Sequence, residues 1–160
     1  MKIKSRVQLR KSAKKKLLAE LSPIFGDAMK SISDSKYESA TVNGISIVIV
    51  DGAIMFFKDD DVYVPTVKGV LELGLDENVI VVDAGAVRFV VNGADVMCPG
   101  IVSTDPEIQT GDLVIIKEVT HDKPLAIGRA LVPGDSMKAE SGKAVRSIHY
   151  VGDELWNMEV

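Results

Sequence analysis

This chain of 160 residues holds one cysteine and two histidines, and aromatic residues make up 5% of it. Each scarcity removes a class of explanation. A single thiol, Cys98, closes no internal disulfide, which fits a reducing compartment and a cytoplasmic protein. One cysteine with His121 and His149 falls short of the four ligands of a structural zinc site. No apolar run approaches the roughly 20 residues that cross a bilayer, and the first residues lack the apolar core of about 7 to 15 residues of a secretory signal. No membrane partner is expected. Neither a phosphate-binding loop nor a dinucleotide fingerprint is present, and no nucleophile stands beside a placed base. The expectation is a non-enzymatic protein with no cofactor and no metal.

Acid is missing from the first sixteen positions, which carry Lys2, Lys4, Arg6, Arg10, Lys11, Lys14, Lys15 and Lys16. The overall charge is −4, so the remaining eleven basic and 23 acidic residues leave −12 on the rest of the chain. A basic arm on an acidic body steers a protein toward a polyanion and orients it there. Arg10, Lys11, Lys14, Lys15 and Lys16 are the candidate phosphate contacts of this end; a solvated, frayed terminus is the alternative.

What is present in quantity is apolar mass, 46% of the chain, enough for one sizeable domain or two small ones. Leu17, Leu18, Leu21, Ile24 and Phe25 recur at helical spacing and predict an amphipathic helix over Lys14–Phe25, with Ser22-Pro23 expected to break or kink it. From Glu38 the period becomes two, and Asn43-Gly44 and Asp51-Gly52 supply the positive φ of two-residue hairpins, which predicts a three-stranded antiparallel meander. Val62–Val64 adds an edge strand ending at Pro65. Val67, Val70, Leu71 and Leu73 suggest a short helix stopped by Gly74. Phe56 and Phe57, adjacent on one strand, are not expected both to point inward. These elements form a small α+β domain over residues 1–75. After a joint at Asp76–Asn78, strand-like runs at Val79–Val82, Val96–Cys98, Leu113–Val119, Leu125–Leu131 and Lys143–Tyr150 imply a β-barrel or sandwich over residues 76–160. With no flexible spacer, the two domains are expected to pack on each other.

The segment from Asp83 to Ile101, DAGAVRFVVNGADVMCPGI, reads as strand end, helix, tight turn and strand. Glycine at a helix start lets a backbone approach a phosphate, though plain packing explains the same spacing. Arg88, on the helix that begins at Ala84, is the best single phosphate or base contact. This segment, followed by Gly111-Asp112 before LVIIKEV, then PLAIGRAL and GKAVRSIHYVGDELW, resembles a PUA domain, an RNA-binding module. Met55-Phe56-Phe57, YVPT at Tyr63–Thr66, MCPG at Met97–Gly100, and IHY-x-x-D-x-LW-x-M from Ile148 to Met158 narrow the resemblance to the malignant T-cell-amplified-sequence, or translation machinery-associated, proteins, of the archaeal type.

The resemblance implies an α+β fold, a small N-terminal α+β domain with an antiparallel meander before a PUA-type β pseudo-barrel. It further implies an RNA-facing groove built from Gly85, Ala86, Arg88, Asn92, Gly93, Ala94, Asp95, Met97, Cys98, Pro99 and Gly100, with Arg146, His149 and Tyr150 opposite. Bases would stack on Tyr150 or His149; Tyr150 as a barrel plug and Cys98 as a small buried residue are the structural alternatives. Leu155 and Trp156 are read as closing a core, with a partner-binding surface as the alternative, and Asp59-Asp60-Asp61 as a solvated turn in preference to a divalent-ion site. The implied function is a non-catalytic translation factor that binds the small ribosomal subunit, a tRNA acceptor end, or both, in initiation, reinitiation or recycling. A second factor with an initiation-factor-like domain would cooperate with it. The alternative is an accessory module that guides a separate RNA-modifying enzyme, a transglycosylase or pseudouridine synthase. Either reading needs an open, positively biased cleft beside the short helix.

Overall fold

The structure, a computed structural model, describes residues 3–160; Lys2, counted in the basic arm, lies outside them. The architecture is α+β, as expected. Contacts divide it into two units, one ending at Leu75 and including Met158–Val160, the other Asp76–Asn157.

The first unit is a five-stranded sheet in the order β1-β2-β3-β4-β5, with β1 Ile3–Gln8, β2 Tyr37–Val42, β3 Ile45–Val50, β4 Ala53–Asp59 and β5 Val62–Pro65. Asn43-Gly44 (φ +48° and +78°) and Asp51-Gly52 (φ +48° and +86°) make the two meander turns, because positive φ at both central residues matches the twist of the strands they join. Strand β1 has no signature in the sequence. Its side chains are exposed except for the half-buried Ile3, so no apolar period marks it. Backbone pairing to β2 holds it, with the Arg6 guanidinium forked on Glu38 at 2.9 and 3.1 Å. The basic arm is therefore not a frayed tail: Lys4 and Arg6 sit on an edge strand.

Helix α1 (Lys11–Phe25) buries Leu17, Leu21 and Phe25, one stripe at the spacing read from the sequence. It does not end at Ser22. Pro23 lies inside it, two residues before its end, where its missing amide removes one bond, and the Ser22 hydroxyl donates to Leu18 O instead of capping a second helix. A 3-10 segment, Gly26–Ile32, follows. Helix α2 (Val67–Leu73) begins at Thr66, whose hydroxyl accepts the Gly69 amide at 2.9 Å and donates to Ile54 O at 2.8 Å; Gly74 (φ +63°) ends it. Phe56 and Phe57 are both buried, 0% and 5% exposed. As neighbours on one strand they face opposite sides of the sheet, so both sides of β4 are covered at this point.

The second unit is a nearly closed, barrel-like sheet in the order β7-β11-β10-β9-β6-β8. Its strands are β6 Val79–Val82, β7 Val96–Met97, β8 Ile101–Thr104, β9 Leu113–Glu118, β10 Pro124–Ala130 and β11 Lys143–Tyr150. Every pairing is antiparallel except β6 with β9. Strand β8, four residues with two exposed and only Ile101 buried, is too short for an alternation to mark it in the sequence. The core joins Ile80, Val82, Val90, Val96, Ile101, Ile116, Met137 and Val145, so the short helix Val87–Val90 (α3) is pinned to the barrel through Val90. Leu155 is buried and Trp156 half-buried in the turn after β11. Among the described residues, no helix is long and apolar enough to cross a membrane.

Candidate functional site

Where β6 ends, Asp83 turns the chain. Its amide donates to Gly100 O at 2.9 Å, and its carboxylate accepts the Ala86 amide at 2.9 Å, capping a 3-10 turn, Ala84–Ala86, that runs into α3. Asn92 closes α3 by donating from Nδ2 to Arg88 O at 2.7 Å, and the amides of Gly93 and Ala94 bond back to Val90 and Phe89. The chain then enters β7 and the 3-10 turn Cys98–Gly100.

A cleft of about 690 Å³ opens between these pieces. Its helical wall is Asp83, Gly85, Ala86, Phe89 and Val90; the facing wall is Ala94, Asp95, Val96, Met97, Pro99 and Gly100, with Lys143 from β11. Phe89 is 53% exposed and Met97 46%. A phenyl ring in water costs apolar hydration that a core position would remove. The Arg88 guanidinium carbon stands 4.8 Å from the centroid of that ring, a cation–π geometry. The cleft therefore presents an apolar floor with a cation over its aromatic edge, the arrangement on which unpaired bases stack.

Seven residues named from the sequence line this cleft: Gly85, Ala86, Ala94, Asp95, Met97, Pro99 and Gly100. Arg88 lies over Phe89 and outside the lining, and Asn92 is spent capping α3. Gly93 (φ +88°) touches Tyr150, not open space: a Cβ there would meet the Tyr150 ring at 2.9 Å. Tyr150 is half-buried and packs on the barrel core. Cys98 is buried and Arg146 is exposed on β11, and neither lines the cleft.

His149 as a stacking surface is a correction. The residue is 1% exposed and its Nδ1 lies 2.8 Å from Asp153 Oδ2. Asp153 also accepts the amides of Tyr150 and Trp156 at 3.0 and 2.8 Å. Burial pulls its carboxyl up, but the hydrogen bond and charge interaction with His149, with those two amides, hold it below the ordinary aspartate value.

The phosphate-receiving helix start and the positively biased cleft are corrected as well. Asp83 supplies the start with its own carboxylate, and the lining holds two carboxylates against one ammonium. Asp95 accepts the Ser147 amide with one oxygen at 2.9 Å and faces Lys143 Nζ with the other at 3.3 Å. The cleft offers apolar and aromatic surface rather than a positive field.

Sequence reasoning missed Asp83, Phe89, Val90, Val96 and Lys143. Phe89 was within reach, since it follows Gly85 by four residues and so shares its helix face. Lys143 was not, because only strand pairing with β7 brings it there.

In the first unit Arg10, Lys11, Lys15 and Lys16 are exposed. Lys16 lies 3.9 Å from Glu20, an exposed pair worth little. Lys14 leaves the set of phosphate contacts: its ammonium donates to Ser35 O at 3.2 Å and sits 4.5 Å from the Tyr37 ring centroid. Burial, then the Asp51 charge, pushes the Tyr37 hydroxyl up to about 12. Helix α1 carries no acid in its first turn and no side-chain cap, so lysines crowd the end where the macrodipole disfavours cations.

Comparison with known proteins places these features. Residues 78–151 match the PUA domain and residues 1–73 the pre-PUA-like domain. An uncharacterized protein of Methanocaldococcus jannaschii is 41% identical, covering 99% of both chains. Translation machinery-associated protein 20 of Saccharomyces cerevisiae is 30% identical over 99% of this chain and 92% of its own. The crystal structure of a hypothetical protein from Pyrococcus horikoshii OT3 superposes with a TM-score of 0.89 at 35% identity, over 97% of this chain and 99% of that one.

Proposed function

This chain belongs to the family of translation machinery-associated protein 20 and the malignant T-cell-amplified sequence proteins, and on that premise we propose that it is a non-catalytic, RNA-binding translation factor of the cytoplasm. PUA domains bind RNA, and the observation that carries the reading to this molecule is the half-exposed Phe89 on the wall of an apolar cleft, with Arg88 over its ring. Each base stacked on such an aromatic contributes about 1–3 kcal/mol and any base satisfies it, which suits an unpaired end or loop better than a duplex. The tRNA acceptor end is such an end, and the small ribosomal subunit carries such loops.

Arg10, Lys11 and Lys15 on the first unit are the sequence-independent anchor to a ribosomal phosphate backbone. Their placement supports this role, since lysines at the start of α1 weaken the helix and so answer to something other than folding. In this reading the chain acts in initiation, reinitiation or recycling, alongside a second factor with an initiation-factor-like domain.

Binding of the full chain to tRNA with an accessible 3′ end, and to isolated small subunits, tests the proposal. Phe89→Ala is expected to weaken binding to unpaired RNA by about 1–3 kcal/mol while leaving the fold intact, because the ring is half in water. Equal affinity of the variant and the unaltered chain, or copurification with an RNA-modifying enzyme in place of ribosomal subunits, would overturn it.

A further inference from the structure

Among the described residues, Lys143 is the only cation that lines the cleft. Its backbone is fixed: it opens β11 and pairs with Met97 of β7, whose side chain lines the cleft. Opposed residues on neighbouring strands hold their Cβ atoms about 4.5–5.5 Å apart, so the lysine stem rises beside the surface on which a base would lie. Its head is not fixed. The side chain is 60% exposed and Nζ stands 3.3 Å from Asp95 Oδ2, a long, solvated ion pair of the weak kind. Asp95 is held differently: its side chain is 27% exposed and its other oxygen accepts the Ser147 amide at 2.9 Å. The carboxylate is anchored and the ammonium is free to leave it.

Resting on the RNA-binding reading above, we propose that Lys143 is the phosphate-binding cation of the cleft, and that Asp95 holds it in reserve until a backbone phosphate competes it away. The exchange replaces one ion pair by another, Nζ passing from Asp95 Oδ2 to a phosphate oxygen with no proton transferred. Asp95 thereby sets a threshold. A flat apolar ring that enters without a phosphate leaves the Lys143–Asp95 pair intact and gains only stacking; a nucleotide chain gains stacking and the lysine together. The cleft in this way discriminates RNA from an uncharged aromatic ligand despite its lack of net positive charge.

The test is equilibrium binding of a short single-stranded RNA of randomised sequence to the full chain over a salt series. Lys143→Gln is expected to reduce the slope of log K against log salt by about 0.7, the contribution of one phosphate, and to weaken low-salt binding about tenfold, as loss of one charge-assisted hydrogen bond does. Lys143→Arg is expected to keep the slope. Asp95→Asn retains the acceptor for Ser147 and is expected to tighten binding, and that gain is expected to shrink when Lys143→Gln is present. An unchanged slope in Lys143→Gln, or an Asp95→Asn gain undiminished in the double variant, overturns the assignment and leaves the RNA-binding reading standing. Absence of RNA binding by the unaltered chain removes both.

Discussion

Gly85 and Gly93 lie in one short stretch of sequence and do opposite things. At Gly93 a Cβ would press on the Tyr150 ring at 2.9 Å, and φ is +88°; at Gly85 the nearest atom would be Asp83 Oδ1 at an ordinary 3.4 Å. Gly93→Ala is therefore expected to destabilise the chain by about 1–3 kcal/mol, combining backbone strain with displacement of a packed ring, as urea unfolding will show. Gly85→Ala is expected to leave stability within about 0.5 kcal/mol and to narrow the cleft, so that its effect appears in RNA binding. Glycine composition alone made the two residues look alike. What separates them is a tyrosine 57 positions away from Gly93 in sequence.

At the scale of the element, α1 is the place where local rules and the proposed function pull apart. Its periodicity was plain from Leu17, Leu21 and Phe25, whereas its start was not, because Arg10 stands at the N-cap and makes no side-chain bond there. Lys11→Glu puts an acid in the first turn, where the macrodipole favours it by about 0.3–1 kcal/mol. The variant is expected to melt higher and to bind RNA more weakly, with a shallower salt slope. A variant that melts higher and binds RNA as before would show that this end of the helix does not meet phosphate. The β-hairpins present the reverse case: Asn43-Gly44 and Asp51-Gly52 encode their turns locally, and β2, β3 and β4 fall where the alternation put them.

For the molecule as a whole, acid is the revealing perturbation. Glu38 is held below its ordinary value by the Arg6 hydrogen bond, Asp51 by the Lys36 amide, and Glu118 by the amides of Lys123 and His121. Asp153 is held down against its burial by His149. Each folded carboxyl thus ionises at lower pH than its unfolded counterpart, so the unfolded chain binds more protons in between. Their stabilisation is complete above the unfolded values, about 3.9 for Asp and 4.3 for Glu, and is lost as pH falls through the folded ones. Stability measured by urea unfolding is expected to fall steeply with pH in that window. Asp153→Asn is expected to be less stable near neutrality and to show a shallower acid limb, its own carboxyl no longer contributing.

The chain's periodicities and turn dipeptides decided most of its elements, because these follow from neighbours along the backbone, and residue order alone set the polarity of its charge. The quiet strands β1 and β8 were invisible, since β1 is held by pairing with its side chains exposed and β8 offers only Ile101 to the core, too little for a period to show. Only the tertiary structure decided the site. It buried His149, spent Lys14 on Tyr37 and Asn92 on a helix end, and brought Lys143 across a strand pairing to the cleft that Gly85, Ala86 and Phe89 share. Whether a polar side chain is free to meet a ligand depends on what lies beside it in space, and that is set by partners remote in sequence.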